Sequence, residues 1–64
     1  MKRLDFIKYL TINGCYLLRE GGNHSIYENK KNKKISAIPR HKELDRFTCK
    51  SICKQLEIPI FENK

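Results

Sequence analysis

The stretch Cys15-Tyr16-Leu17-Leu18-Arg19-Glu20-Gly21-Gly22-Asn23-His24-Ser25-Ile26-Tyr27-Glu28-Asn29, continued by Lys30-Lys31-Asn32-Lys33-Lys34 and Ile35-Ser36-Ala37-Ile38-Pro39, decides the fold. Residues 15–19 form an apolar run of strand length that starts after Gly14 and is cut off by Glu20-Gly21-Gly22, which predicts a first strand and a tight turn. Asn23 to Glu28 alternates, with His24, Ile26 and Glu28 on one side and Asn23, Ser25 and Tyr27 on the other. Both sides are mixed in polarity, so the second strand does not declare which face meets the core. Asn29 to Lys34 has no apolar residue and two turn-forming asparagines, the composition of a hairpin loop. Lys34 to Ile38 carries the third strand, and Pro39 ends its ladder because proline has no amide proton to donate.

Helical patterns flank these strands. Lys2 to Asn13 places Leu4, Ile7 and Leu10 at helical spacing with Phe6 beside them, and turns Lys2, Asp5 and Lys8 outward. No N-cap residue precedes it, and Gly14 supplies a left-handed stop. Arg40 to Asp45 is polar and irregular, with Leu44 tacking it to the core. From Asp45 or Arg46 to Leu56, the residues Cys49, Ile52, Cys53 and Leu56 recur at i, i+3, i+4 and i+7, the single apolar face of a helix. Arg46, Lys50 and Lys54 repeat every four on a stripe roughly 110° away at about 100° per residue, a basic ridge beside the buried one. Glu57-Ile58-Pro59 ends this helix, and Ile60 and Phe61 are expected to fold back over an edge. The order helix, strand, strand, strand, helix with short connections predicts an α+β domain: an antiparallel meander with both helices packed on one face.

Composition sets the outer limits. The chain has 64 residues, 39 % hydrophobic and 33 % charged, with a net charge of +7. A domain of this size buries only about 60 % of the surface its unfolded chain exposes, so residues 1–64 are one domain without room for an enclosed cofactor site. The charge favours polyanions, nucleic acid first, then an acidic protein. The longest uncharged run starts at Tyr9, ends before Arg19 and contains Thr11, Asn13 and Gly14. It is far short of the roughly 20 apolar residues of a membrane span, so no membrane partner is expected. Lys2 and Arg3 resemble the basic start of a signal peptide, but Asp5 and Lys8 break what would be its apolar region, so the expected location is the cytoplasm. Cys15, Cys49 and Cys53 are an odd, sparse set that fits a reducing compartment. Cys49 and Cys53 would need further ligands to hold zinc, and core packing is the stronger reading for both.

His24 follows the Gly21-Gly22 turn at the mouth of the second strand. Imidazole is the side chain best suited to exchange protons near neutral pH, although an isolated histidine at a strand start is more often structural. If the lysine loop, Arg40 and the basic ridge surrounded it, the set would suit metal-free phosphodiester cleavage: a base takes the ribose 2′-hydroxyl proton while cations stabilise charge on phosphate. His41 is a second acid-base group by type, with a solvent-exposed or loop-fixing role as the plainer reading. Tyr27 falls on the opposite side of an ideal strand from His24, which suits packing or a nucleic-acid contact.

The segments Leu4 to Gly14, Gly22-Asn23-His24-Ser25-Ile26-Tyr27, Ile38-Pro39-Arg40-His41 and Thr48 to Leu56 together resemble the HicA toxins of bacterial and archaeal toxin-antitoxin modules. The resemblance spans nearly the whole chain. It implies a fold like the double-stranded-RNA-binding domain and a messenger-RNA endonuclease that needs no metal or other cofactor. It also implies inhibition by a HicB-like antitoxin. When free, the chain is expected to be a monomer. The family's catalytic histidine lies in a Gly-Ser-His pattern and maps onto His24, with Asn23 in the place of serine. Lys30, Lys31, Lys33, Lys34, Arg40, Lys50 and Lys54 are the expected RNA contacts, through phosphate and 2′-hydroxyl groups more than base edges. Two alternatives share the charge: a non-catalytic RNA-binding module of the same fold, and a protein-interaction domain whose basic ridge meets an acidic partner.

Overall fold

The computed structural model describes residues 1–60. Its elements follow in the order α1 (Arg3–Ile12), β1 (Cys15–Glu20), β2 (His24–Asn29), β3 (Ile35–Pro39) and α2 (Arg46–Leu56). The strands form one antiparallel sheet in the order β1-β2-β3, with β2 in the centre. α1 lies against β1 and α2 against β3. This is the expected α-β-β-β-α architecture.

Burial decides what the mixed alternation of β2 left open. Ser25, Tyr27 and Asn29 are buried, and so are their neighbours Ser36 and Ile38 on β3 and Cys15 on β1. The apolar members of this face join Phe6, Leu10, Leu44, Cys49, Ile52, Cys53, Leu56 and Ile58 in a single core. His24, Ile26 and Glu28 therefore lie on the face turned away from the helices. Cys49 and Cys53 sit on the core face of α2, and burial pushes the Cys15 and Cys49 thiols up from their ordinary value, so both stay protonated at neutral pH. Among the described residues, no helix is long and apolar enough to cross a membrane.

One expected face is corrected. Leu4 is 72 % exposed, whereas Phe6 and Leu10 are fully buried and Ile7 only partly. At about 100° per residue, Leu4 and Leu10 are roughly 120° apart, too wide for one narrow contact, while Arg3, Phe6 and Leu10 fall at i, i+3 and i+7 on one stripe. The N-terminal end of that stripe is thus held by an arginine. α1 has no side-chain cap; its start is held by the Arg3 amide, which donates to the Lys42 carbonyl at 2.8 Å. Next to it, the Met1 amino group and the Leu44 amide exchange bonds with each other's carbonyls, which ties the irregular 40–45 segment to the first residue. Gly14, at φ +83°, makes the left-handed stop.

α2 is better capped. The Asp45 carboxylate accepts from the Thr48 amide at 2.7 Å. At its other end Glu57 adopts the left-handed conformation, and the amides of Glu57 and Ile58 bond back to the Lys54 and Cys53 carbonyls. This is a Schellman closure with a glutamate where glycine is favoured. Ile58 is buried behind it, and the Tyr9 hydroxyl donates to the Pro59 carbonyl at 2.6 Å. Ile60 is 41 % exposed, and Phe61, expected to help cover an edge, lies outside the described residues.

Candidate active site and basic surfaces

The turn that presents His24 is built from the strand before it. β1 and β2 pair in register from Cys15 opposite Asn29 to Leu17 opposite Tyr27, and then the register shifts so that Arg19 lies opposite Ile26 and Glu20 opposite Ser25. The bulge at Leu18 has a direct consequence, because an extra residue reverses which face each later side chain occupies. Without it Glu20 would point to the open face. With it, Glu20 shares the helix-side face with Ser25, and Arg19 joins Ile26 and His24 on the open one. The Gly21 amide then donates to the His24 carbonyl at 2.8 Å, and a Cβ on Gly21 would stand 3.1 Å from that oxygen, so the close approach favours glycine there.

Around this turn runs a network of charged and polar groups. The Ser25 hydroxyl donates to Glu20 Oε1 at 2.7 Å and accepts from Arg3 Nη2 at 2.9 Å; Arg3 Nε donates to the Pro39 carbonyl at 2.9 Å. Arg40 closes the ring from the other side: Nη2 donates to Glu20 Oε1 and Nη1 to the Gly22 carbonyl, both at 2.7 Å, and Nη2 also reaches the Gly21 and His24 carbonyls. Donation from Ser25 first, and then from Arg40, holds the Glu20 carboxyl below its ordinary value. Burial raises the Tyr27 hydroxyl, with the Arg3 charge acting against it.

Arg40 is thus a positioning residue. Its guanidinium, expected to contact RNA, is directed at the turn carbonyls and at Glu20, whose charge opposes its own. Arg3, Glu20 and Ser25 are not among the residues that sequence reasoning marks as a site. The available signal is the Arg3–Phe6–Leu10 stripe, where a charged residue at the head of a buried helical face calls for a partner inside. The Glu20–Ser25 pairing has no signal, because it depends on a bulge that alternation alone does not reveal.

His24 itself is exposed. It lines an open depression of about 460 Å³ together with Gly22, Asn23, Pro39, Arg40 and His41. The ladder explains the grouping: His24 pairs with Pro39, and the chain leaving Pro39 is held against the turn by Arg40, which brings His41 to the same depression. The two histidines of the chain, 17 residues apart in sequence, therefore line one concave surface. Among the described residues no three His, Cys, Asp or Glu side chains come together as a metal site would need.

The lysine loop lies elsewhere. Its backbone is held by two asparagines: Asn29 Nδ2 and Asn32 Nδ2 both donate to the Leu56 carbonyl, at 2.8 and 3.2 Å, while their Oδ1 atoms accept from the Lys31 and Lys34 amides. β2 starts at His24 and ends at Asn29, so at about 3.3 Å per residue the loop begins roughly 17 Å from the histidine. The condition that the lysine loop surround His24 is therefore not met by Lys30, Lys31, Lys33 and Lys34: a strand separates them. All four are exposed, and Lys34 makes a solvent-exposed 3.9 Å pair with Glu57. Arg46, Lys50 and Lys54 are exposed along α2, and Lys54 lies in the last turn, at the end the lysine loop abuts.

Residues 4–58, from the first turn of α1 to the closure of α2, match the profile of the family described as HicA toxin of bacterial toxin-antitoxin. The chain belongs to the HicA toxin family. As a HicA toxin it is the toxin side of a toxin-antitoxin module, a protein whose kind of partner is an antitoxin. Among curated proteins and among solved structures, no match was found. The HicA profile covers every element except Arg3, the first residue of α1, and includes both strands of the β1–β2 turn that carries His24.

Proposed function

We propose that this HicA toxin is an endoribonuclease that cleaves messenger RNA in the cytoplasm without a metal and so blocks translation, acting as a monomer until a HicB-like antitoxin neutralises it. One observation carries the reading: an exposed histidine stands in an open depression at the end of the central strand, on a turn fixed by Arg40, Glu20 and Ser25. An open, shallow site suits a chain-like substrate that passes across it. In this reading His24 takes the proton of a ribose 2′-hydroxyl, and the freed oxygen attacks the adjacent phosphorus. Lys30, Lys31, Lys33 and Lys34 at the other end of β2, with Lys50 and Lys54 along α2, hold the strand by its phosphates, and a long polyanion reaches both regions at once.

The test is RNA cleavage by the purified chain and by His24→Ala with a chelator present. The wild type is expected to shorten RNA and the variant to lose about 10²-fold or more of the rate, in the range of a lost acid-base group, with RNA binding kept. Equal cleavage by both would remove His24 from the chemistry. RNA retarded on a gel by both proteins and shortened by neither would make the chain a non-catalytic RNA-binding module instead.

A further inference from the structure

Cleavage by a 2′-hydroxyl needs two proton transfers, and His24 accounts for one. We propose that His41 is the second catalytic group, the general acid that protonates the departing 5′-oxygen; the assignment rests on the endoribonuclease reading of His24. Three observations support it. His41 lines the same depression as His24. Pro39, the cross-strand partner of His24, is only two residues before it, so with paired Cα atoms about 5 Å apart and about 3.5 Å per extended residue the two histidine Cα atoms stand within about 13 Å. Arg40, between Pro39 and His41, is bonded to the Gly21, Gly22 and His24 carbonyls, so the segment that carries His41 is fastened to the turn that carries His24.

The step balances without any further reagent. The 2′-O–H bond breaks and its proton passes to the His24 imidazole, the 2′-O–P bond forms, the P–O5′ bond breaks, and O5′ takes the proton of the His41 imidazolium. The products are a 2′,3′-cyclic phosphate and a 5′-hydroxyl. The two imidazoles end with exchanged protonation, which water restores.

The test compares an RNA with an ordinary scissile linkage and one in which sulfur replaces the bridging 5′-oxygen, cleaved by the wild type, His41→Ala, His41→Gln and His24→Ala. A thiol has a pKa near 8.5 and leaves as the thiolate with no proton supplied, so loss of a general acid is not felt on the sulfur substrate. Both His41 variants are expected to cleave ordinary RNA about 10²-fold or more slowly and the sulfur-linked RNA within about tenfold of wild type. His24→Ala should stay slow on both. His41 variants as fast as wild type on ordinary RNA, or equally slow on both substrates, would overturn the assignment while leaving His24 standing. A wild type that cleaves neither RNA would overturn the endoribonuclease reading itself, and the acid with it.

Discussion

The two ends of β2 solve the same problem with opposite materials. Each end places a small polar residue on the buried, helix-side face, Ser25 at one and Asn29 at the other, and each of these holds a loop in shape. At the Ser25 end the work is done by charges: Glu20, Arg3 and Arg40 are joined to one another through Ser25 and to the turn carbonyls. At the Asn29 end it is done by neutral amides, with Asn29 and Asn32 gripping the Leu56 carbonyl. A charge tied into a loop is partly cancelled by its partner and is not offered outward. The lysines of the Asn29 end, with their loop held by amides, keep their field for a polyanion. In the proposed division of labour, the first end performs proton transfer and the second holds the substrate.

The largest expected effect tests that division. Replacing Lys30, Lys31, Lys33 and Lys34 by glutamine should weaken binding of single-stranded RNA by about 10- to 100-fold. It should also flatten the salt dependence by about 0.7 in the log–log slope for each phosphate no longer neutralised, with thermal stability unchanged. Salt-titrated binding of the quadruple variant checks this, and an unchanged slope would move the RNA away from the lysine loop. Next in size, Asn29→Ala removes one buried hydrogen bond to Leu56 and one to the Lys31 amide, and should destabilise the fold by about 1–3 kcal/mol in urea unfolding.

A smaller effect of opposite sign is expected at the α2 terminus. Glu57→Gly relieves a non-glycine residue held at φ 57° and gives up only the exposed 3.9 Å pair with Lys34, so a gain of about 0.5–1 kcal/mol is expected from the same unfolding curve. Smallest is the acid response of the Ser25 end. The folded Glu20 carboxyl titrates below its ordinary value of 4.5, so its stabilising contribution is complete above that pH and is lost as pH falls through the lower folded value. Glu20→Gln should flatten the melting temperature against pH in that window. Asp45, lowered from 3.8 by the Thr48 amide, contributes in the same direction from the N-cap of α2, and Asp45→Asn is the control that separates the two.

Local patterns carried much of this structure into the sequence. α2 was legible in full, since Cys49, Ile52, Cys53 and Leu56 repeat at the helical period and all four are buried. Gly14 marked the end of α1, and three strand-length segments parted by Gly-Gly and by a lysine-asparagine loop marked a meander; each is a property of a few neighbouring residues, which sequence order preserves. α1 was legible as a helix but not in its facing, because Leu4, Phe6, Ile7, Leu10 and Ile12 offer apolar residues on several sides and the sheet chose among them.

What the sequence determined by itself was the order of elements, the surplus of positive charge and the imidazole at the start of β2. Tertiary structure alone decided where the charges went. The bulge at Leu18 turned Glu20 toward Ser25, the length of β2 carried the lysine loop away from His24, and the β2–β3 ladder brought His41 to His24. Periodicity is written along the chain, whereas register is a relation between segments far apart in it. A one-residue shift in that relation reverses every later side chain from one face to the other.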